Sequence, residues 1–356
     1  MKIWIRRILS IVTVIALLFG LQRLVMPKYT KDIFEGGFTQ EYYREEAPHQ
    51  VLMVGDCELY ENFSPITLWR NYGITSYIRG SAQQLTWQSY YLLEDALKYE
   101  TPEVVIFNVL ELKYDEPQQE EYNRMTLDGM KWSKTKVDAI TASMMRADSG
   151  EQEHFIDYLF PILRYHSRIF DLSRDDFTYY AKDINRTTAG YYMRVDELAY
   201  EEGAWGDEEE EYEETLGSNA MDYLDKIREL CESKDIKLLL VKAPSISPVW
   251  HEEWEEQVEA YVKEHDLDYI NFLNLVDEIG IDYSTDTYDE GLHMNLSGAE
   301  KCADYLGNFL SKEYQLEDKS KDEKLSKVWT QKEEFYEDLK SAQYKELEKY
   351  GEIRSY

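Results

Sequence analysis

Two short segments carry residues that could do chemistry. The first is Gly55-Asp56-Cys57-Glu58, directly after the apolar run Val51-Leu52-Met53-Val54. A glycine there permits a tight strand-to-helix turn, and the residue after Asp56 is then presented at the carboxyl end of a sheet, where open α/β folds bind ligands. A helix starting at that point would favour a thiolate through its free N–H groups and dipole. The second is Tyr288-Asp289-Glu290-Gly291-Leu292-His293-Met294-Asn295. His293 has Glu290 three residues upstream and Asp289 four upstream, a base with a carboxylate to orient it. Such a carboxylate holds Nδ1–H and stabilises imidazolium while Nε2 takes a nucleophile's proton. Singly, Cys57 also reads as a small buried apolar residue and His293 as a solvated loop histidine; their pairing carries the argument. No metal site is expected, because the chain has three cysteines, no Cys-x-x-Cys and no second histidine near His293.

Short apolar runs at 51–54, 75–78 and 104–107 alternate with helical stretches at 62–72 and 85–99, a βαβ rhythm that predicts a parallel sheet. Beyond Asp115 the rhythm stops. A mostly helical insertion over about 115–215 is expected, holding Met125, Met130, Trp132 and the aromatic-rich stretch 155–180. It ends in the acidic run Asp207–Glu211, read as a solvated segment. The rhythm then resumes with a helix at 219–233, a strand at 236–241, a helix at 254–265, a strand at 269–272, and a helix opened by Ser297-Gly298-Ala299-Glu300. Residues 313–356 read as a charged helical tail, a peripheral appendage. Cys231 and Cys302 sit in amphipathic helices and read as buried thiols.

The chain begins with Lys2, Arg6 and Arg7, followed by an uncharged run from Ile8 to Leu21. Residues 1–27 read as a signal anchor, with Arg23 snorkelling to the interface, and no Ala-x-Ala cleavage pattern follows. A cleaved signal peptide is the alternative. Both place the main domain, 50–312, outside the cytoplasm, after a polar stalk at 28–49. With 71 acidic against 39 basic residues the net charge is −32, which argues against nucleic acid as a partner. A hydrophobic share of 43% with 30 Tyr and 8 Trp excludes a disordered polyelectrolyte.

The order nucleophile after the first strand, then acid–His pair before the last helix, brings a family into view. VLMVGDCELY resembles the first block of the SGNH/GDSL hydrolases, normally Gly-Asp-Ser. RGSAQQ at 79–84 resembles their second, and YDEGLHMNLSGAEK resembles their last. FNVLELKYDEPQ, YNRMTLDGMKWS, FPILRYHSR and VKAPSISP further resemble a membrane-anchored bacterial SGNH-hydrolase-like group. That group is similar to the hydrolase-like partners of membrane-bound O-acyltransferases, which acylate envelope polymers. The resemblance implies a flavodoxin-like three-layer αβα fold with no cofactor or metal. It implies Cys57 as nucleophile in place of Ser, His293 as base, and an orienting carboxylate. Asp289 is the choice for that carboxylate because the loop around Gly291 can absorb the extra residue; Glu290 stays open. The backbone N–H of Gly80 and the side chain of Asn108 are the implied oxyanion donors. Lys113, Arg124 and Trp132 follow the third strand and could line a carbohydrate cleft, with a core or lid role the other reading of Trp132. Lys242 ends its strand, either at the functional edge or solvated. The implied activity is acyl-ester hydrolysis or O-acyl transfer on a cell-envelope glycan. The competing expectation is a catalytically silent SGNH-like domain that binds an envelope polymer or an integral-membrane O-acyltransferase. Redox work by Cys57 lacks a resolving cysteine.

Overall fold

A computed structural model describes residues 2–28, 38–116, 120–144, 154–181, 185–201, 203–205 and 212–355. The acidic run 207–211 lies outside the described residues. Five strands, β1 (Val51–Gly55), β2 (Ser76–Gly80), β3 (Val104–Asn108), β4 (Lys237–Lys242) and β5 (Asp268–Asn271), form one sheet. All neighbours are parallel and the order is β2-β1-β3-β4-β5, the order of flavodoxin-type doubly wound sheets. β1, β2 and β3 are buried along their whole length. Strands covered on both faces read as continuous apolar runs, which is why their sequences do not alternate.

Helices cover both faces. Val104 and Ile106 of β3, with Leu239 and Val241 of β4, pack in one core with α3 (Cys57–Asn62), α4 (Pro65–Tyr72), α14 (Leu296–Glu313) and α15 (Glu323–Tyr350). Val105, Phe107, Leu238 and Leu240 face the other core with α5 (Thr86–Ala96), α11 (Ser218–Glu232) and α12 (Glu252–His265). α13 (Val276–Ile279) lies between β5 and the His293 loop in the chain. Helix α14 starts at Leu296 with Asn295 as its cap, accepting from the N–H groups of Ser297 and Gly298. The cap is thus two residues earlier than the Ser297 motif suggests.

Among the described residues the insertion is mostly helical as far as Ala181: α6 (Glu120–Leu127), α7 (Lys134–Met144), α8 (Phe155–Leu159), α9 (Ile162–Tyr165) and α10 (Arg174–Thr178), with 3-10 turns at His166–Phe170 and Tyr179–Ala181. Residues 187–200 are instead a strap without regular structure. It bonds to β2 through Ile78 N–H and the Ala189 carbonyl (3.0 Å), to α3 through Tyr192 N–H and the Tyr60 carbonyl (2.8 Å), and to the His293 loop through Leu198 N–H and the Thr287 carbonyl (3.0 Å).

Helix α1 (Lys2–Val25) is long and apolar enough to cross a membrane, with its side chains almost wholly exposed. Its end packs on the domain, while residues 29–37 of the stalk expected at 28–49 lie outside the described residues. Val25 and Lys28 are buried; Lys28 Nζ donates to the carbonyls of Leu24 (2.8 Å) and Met26 (2.7 Å), and Arg168 donates to that of Val25 (2.7 Å). Farther on, α2 (Phe38–Glu41) and the following turn pack onto the domain, with the Arg79 guanidinium 4.2 Å above the Tyr42 ring. Nor is the C-terminal segment peripheral. One stripe of α15, Trp329, Lys332, Tyr336 and Gln343, is buried at helical spacing. Trp329 stacks on Trp69 with ring centroids 5.3 Å apart, and Lys332 Nζ donates to Glu45 (2.8 Å).

His49 sits buried between Glu45 (3.5 Å) and Glu100 (3.0 Å). Burial opposes its charge, but the two carboxylates outweigh it and raise its pKa to about 9. A group raised above its unfolded value of about 6.5 stabilises the fold fully below that pH and loses the contribution as pH rises through about 9. The wild-type melting temperature is therefore expected to fall between pH 6.5 and 9.5, by an amount on the order of 3 kcal/mol of stability. His49→Gln should flatten that slope; an equal slope in both proteins would refute the assignment.

Candidate active site

The strand order reverses between β1 and β3, so the carboxyl ends of these two strands border the crevice where such sheets take ligands. Cys57 is the first residue of α3 and follows β1 at that edge. Asp56 caps the helix by accepting from Glu58 N–H (3.1 Å). Gly80 ends β2 in register with Gly55, and a Cβ on it would lie 2.8 Å from the Gly55 carbonyl oxygen. Only glycine lets the two strand ends approach this closely.

The His293 loop is built as a small closed unit. Thr287 and Met294 form an antiparallel bridge; Thr287 Oγ1 donates to the His293 carbonyl (2.8 Å) and accepts from Gly291 N–H (2.8 Å). Glu290 (φ 61°) and Gly291 (φ 90°) are both left-handed. That pair of turns takes up the extra residue and points Asp289 at the ring. Asp289 Oδ2 lies 2.7 Å from His293 Nδ1, and Oδ1 accepts from His293 N–H (2.8 Å). Asp289, rather than Glu290, is the orienting carboxylate. His293 Nε2 is buried and makes no hydrogen bond of good geometry among the described residues. Burial pushes the Cys57 thiol up to about 11, and the charge of the neighbouring His293 is the main influence pulling it down. The structure brings Cys57, His293 and Asp289 into one site.

Helix α3 supplies two further residues at that site. Glu61, one turn after Cys57, places Oε1 3.9 Å from His293 Nε2, while its Oε2 accepts from Tyr288. The Tyr288 ring stacks on His293 at 6.1 Å, and the Arg194 guanidinium of the strap lies 4.3 Å from the Tyr288 ring centre. Burial lowers the His293 pKa, but the charges of Glu61 and Cys57 and the bond to Asp289 win and hold it well above the usual value. Asn62 latches the two halves together: its Oδ1 accepts from Met294 N–H (2.6 Å) and its Nδ2 donates to Ser245 Oγ (3.0 Å).

Asn108 does not serve as a free oxyanion donor. Its amide nitrogen donates to Asp56 Oδ1 (2.9 Å) and Glu58 Oε2 (3.1 Å), so both N–H groups are spent beneath the site. Lys242 completes this buried cluster: its Nζ meets Glu58 at 2.8 and 3.1 Å and the Ala243 carbonyl at 2.9 Å, with no exposed surface. The solvated strand end is excluded. Of the three carbohydrate candidates, Lys113 alone lies near the cluster. Burial lowers its pKa to about 8, against the pull of Glu58 and Asp56, and its Nζ stands over the rings of Tyr114 (4.8 Å) and Trp254 (5.5 Å). Arg124 is an internal brace, buried against the Tyr158 ring (3.7 Å) and paired with Glu120 and Asp128 at 3.2 Å each. Trp132 is exposed beside Lys136 (4.7 Å). Its neighbour Lys131 bonds to Tyr43, which holds Asp95 at the C-terminal end of α5, the end of that helix away from the site. Arg124 and Trp132 therefore line no cleft at Cys57. From α6, Tyr122 approaches the thiol closely enough for burial and the charge of Cys57 to raise its phenol.

Glu61, Asn62 and Tyr288 were not singled out by sequence reasoning. Glu61 and Asn62 carried one usable signal, their spacing of four and five residues from Cys57 on a short helix. Among the described residues no group of three or more His, Cys, Asp or Glu side chains could hold a metal ion. Comparison with known proteins finds no family model that matches the chain, and no curated protein with significant similarity to it.

Proposed function

We propose that this chain is an acyl-ester enzyme of the SGNH/GDSL-hydrolase type, anchored by α1 with its domain outside the cytoplasm and acting on a cell-envelope glycan. The observation that carries the chemistry is the meeting of Cys57 with a histidine already oriented by Asp289 (2.7 Å). The envelope location and the glycan rest on the apolar α1 and on the sequence resemblance. Cys57 Sγ attacks the acyl carbonyl as His293 Nε2 takes the thiol proton, and Asp289 stabilises the imidazolium. The N–H groups of Cys57 and Gly80 receive the oxyanion, with Asn108 withdrawn from that role. Collapse expels the alcohol, which leaves with the proton from His293. The thioester then passes its acyl group to water, giving hydrolysis, or to a glycan hydroxyl, giving transfer, with His293 again taking the acceptor's proton. An integral-membrane O-acyltransferase fits as the donor's source.

The deciding experiment is the intact mass of full-length protein in detergent after exposure to an activated acetyl ester, beside Cys57→Ala. One acetyl adduct on wild type, absent from the variant, supports the reading. No adduct and no turnover across several donors sinks it and favours a silent domain that binds an envelope polymer or a membrane acyltransferase. One observation favours that second reading: burial holds the thiol protonated, up to about 11, at neutral pH.

Glu61 makes the pH dependence specific. Only neutral His293 can accept a proton, so the acylation rate rises with pH through the pKa of His293. Glu61 is the strongest of the influences raising that pKa. Glu61→Gln is expected to move the rising limb of the rate–pH profile to lower pH. Each unit of displacement multiplies the rate below the limb by about ten. An unmoved limb would show that Glu61 does not act on the base.

A further inference from the structure

Helix α1 ends inside the domain rather than above it. Its last turn packs against α9, the turn 166–170 and α10, and is fixed there by Arg168 on the Val25 carbonyl and by Lys28, which also pairs with Asp176 (3.4 Å). These elements, together with α8 packed on α9, expose large apolar side chains: Ile156, Phe160, Leu163, Ile169, Phe177 and, most of all, Phe170 at 90%. Exposed apolar residues scattered singly over a surface need no explanation; a run of this density over two dozen residues does. The anchoring contact and this face share one segment, since the turn 166–170 supplies Arg168 to α1 and Phe170 to solvent.

We propose that the α8–α10 face is a second membrane contact, lying in the lipid interface of the bilayer that α1 crosses. The proposal rests on α1 spanning that bilayer. If it does, its last turn stands at the membrane surface, and the packed face beside it is at the same depth. Short segments with apolar side chains on one side lie in that zone with the apolar side sunk about 5–10 Å into the headgroup boundary. The occupant is uncharged lipid: charges beyond a Debye length are screened, and across 154–178 three Arg nearly balance four Asp, so apolar burial supplies the attraction. With no flexible stalk at Met26–Lys28, this contact fixes the tilt of the whole domain.

The test uses the full chain in phosphatidylcholine nanodiscs. Nitroxide labels are placed one at a time by Ile11→Cys, Phe170→Cys, Leu163→Cys and Tyr344→Cys, in a Cys57→Ser background, Cys231 and Cys302 being buried. Depth is read from the relative accessibility to oxygen and to a water-soluble nickel complex. The expected result is a label at 11 deep in the hydrocarbon, labels at 163 and 170 about 5–10 Å below the headgroup boundary, and the label at 344 in water. A deep label at 11 with aqueous labels at 163 and 170 overturns the proposal, leaves the anchor standing and assigns the face to a protein partner. A label at 11 outside the hydrocarbon overturns the anchor and this proposal together.

Discussion

Above the rising limb set by His293, His293→Ala is expected to slow acetylation of Cys57 by a factor on the order of 10²–10⁴, the range that a positioned general base contributes. At neutral pH the thiol is held protonated by burial, with a pKa of about 11, so without a base almost no thiolate is present. Timed intact-mass measurements at fixed donor concentration read the effect directly. Asp289→Asn should fall comparably, because an amide that accepts at Nδ1–H no longer stabilises imidazolium and can present the wrong tautomer. Glu290→Gln should acetylate at nearly the wild-type rate, since Asp289 holds the ring and Glu290 serves the loop through its left-handed backbone. Equal rates for wild type and His293→Ala would leave the site without its mechanism.

Lys242→Met is expected to destabilise the fold by about 3–5 kcal/mol, the usual consequence of stranding one member of a buried ion pair. Lys242 and Glu58 are both fully buried at 2.8 Å. Asp56 sits in the same cluster, its pKa raised to about 7 by burial and by the charge of Glu58, with Lys242 among the groups that pull it back. Removing the ammonium leaves two carboxyl groups bridged by one amide, that of Asn108. The double variant Glu58→Gln/Lys242→Met should recover most of the loss, because it removes the unpaired charge along with its partner. Denaturant unfolding of the three variants measures this; a Lys242→Met midpoint equal to wild type would mean the pair stabilises nothing.

What the sequence made legible was periodic or catalytic. Continuous apolar runs such as Val104-Val105-Ile106-Phe107 announced buried parallel strands, and the carboxylate–His spacing announced an oriented base. Asn108 misled because a strand-end amide can point to the crevice or down into the fold. Only the later arrival of Glu58 and Lys242 beside it decides which. Arg124 and Trp132 misled for a similar reason: residues after a strand need not stay at its carboxyl edge when an insertion intervenes. The strap 187–200 carries no period at all, because its bonds go to β2, α3 and the His293 loop in turn. Composition hid the packing of the segments around Glu45 and Lys332. Charged residues such as Lys332 and Glu45 look solvated until they meet each other from opposite ends of the chain.

That meeting bears on how the chain is made. Trp329 and Tyr336, which close the core against Trp69 and Ser64, are synthesised long after them, and the Lys332–Glu45 contact closes a loop of 287 residues. Synthesis at about 5–20 residues per second leaves the earlier elements waiting tens of seconds for this helix. Through that interval Trp69 and its neighbours are uncovered, so the nascent chain is a client for holding chaperones. A premature stop before residue 329 produces a species that aggregates rather than a slightly shorter protein.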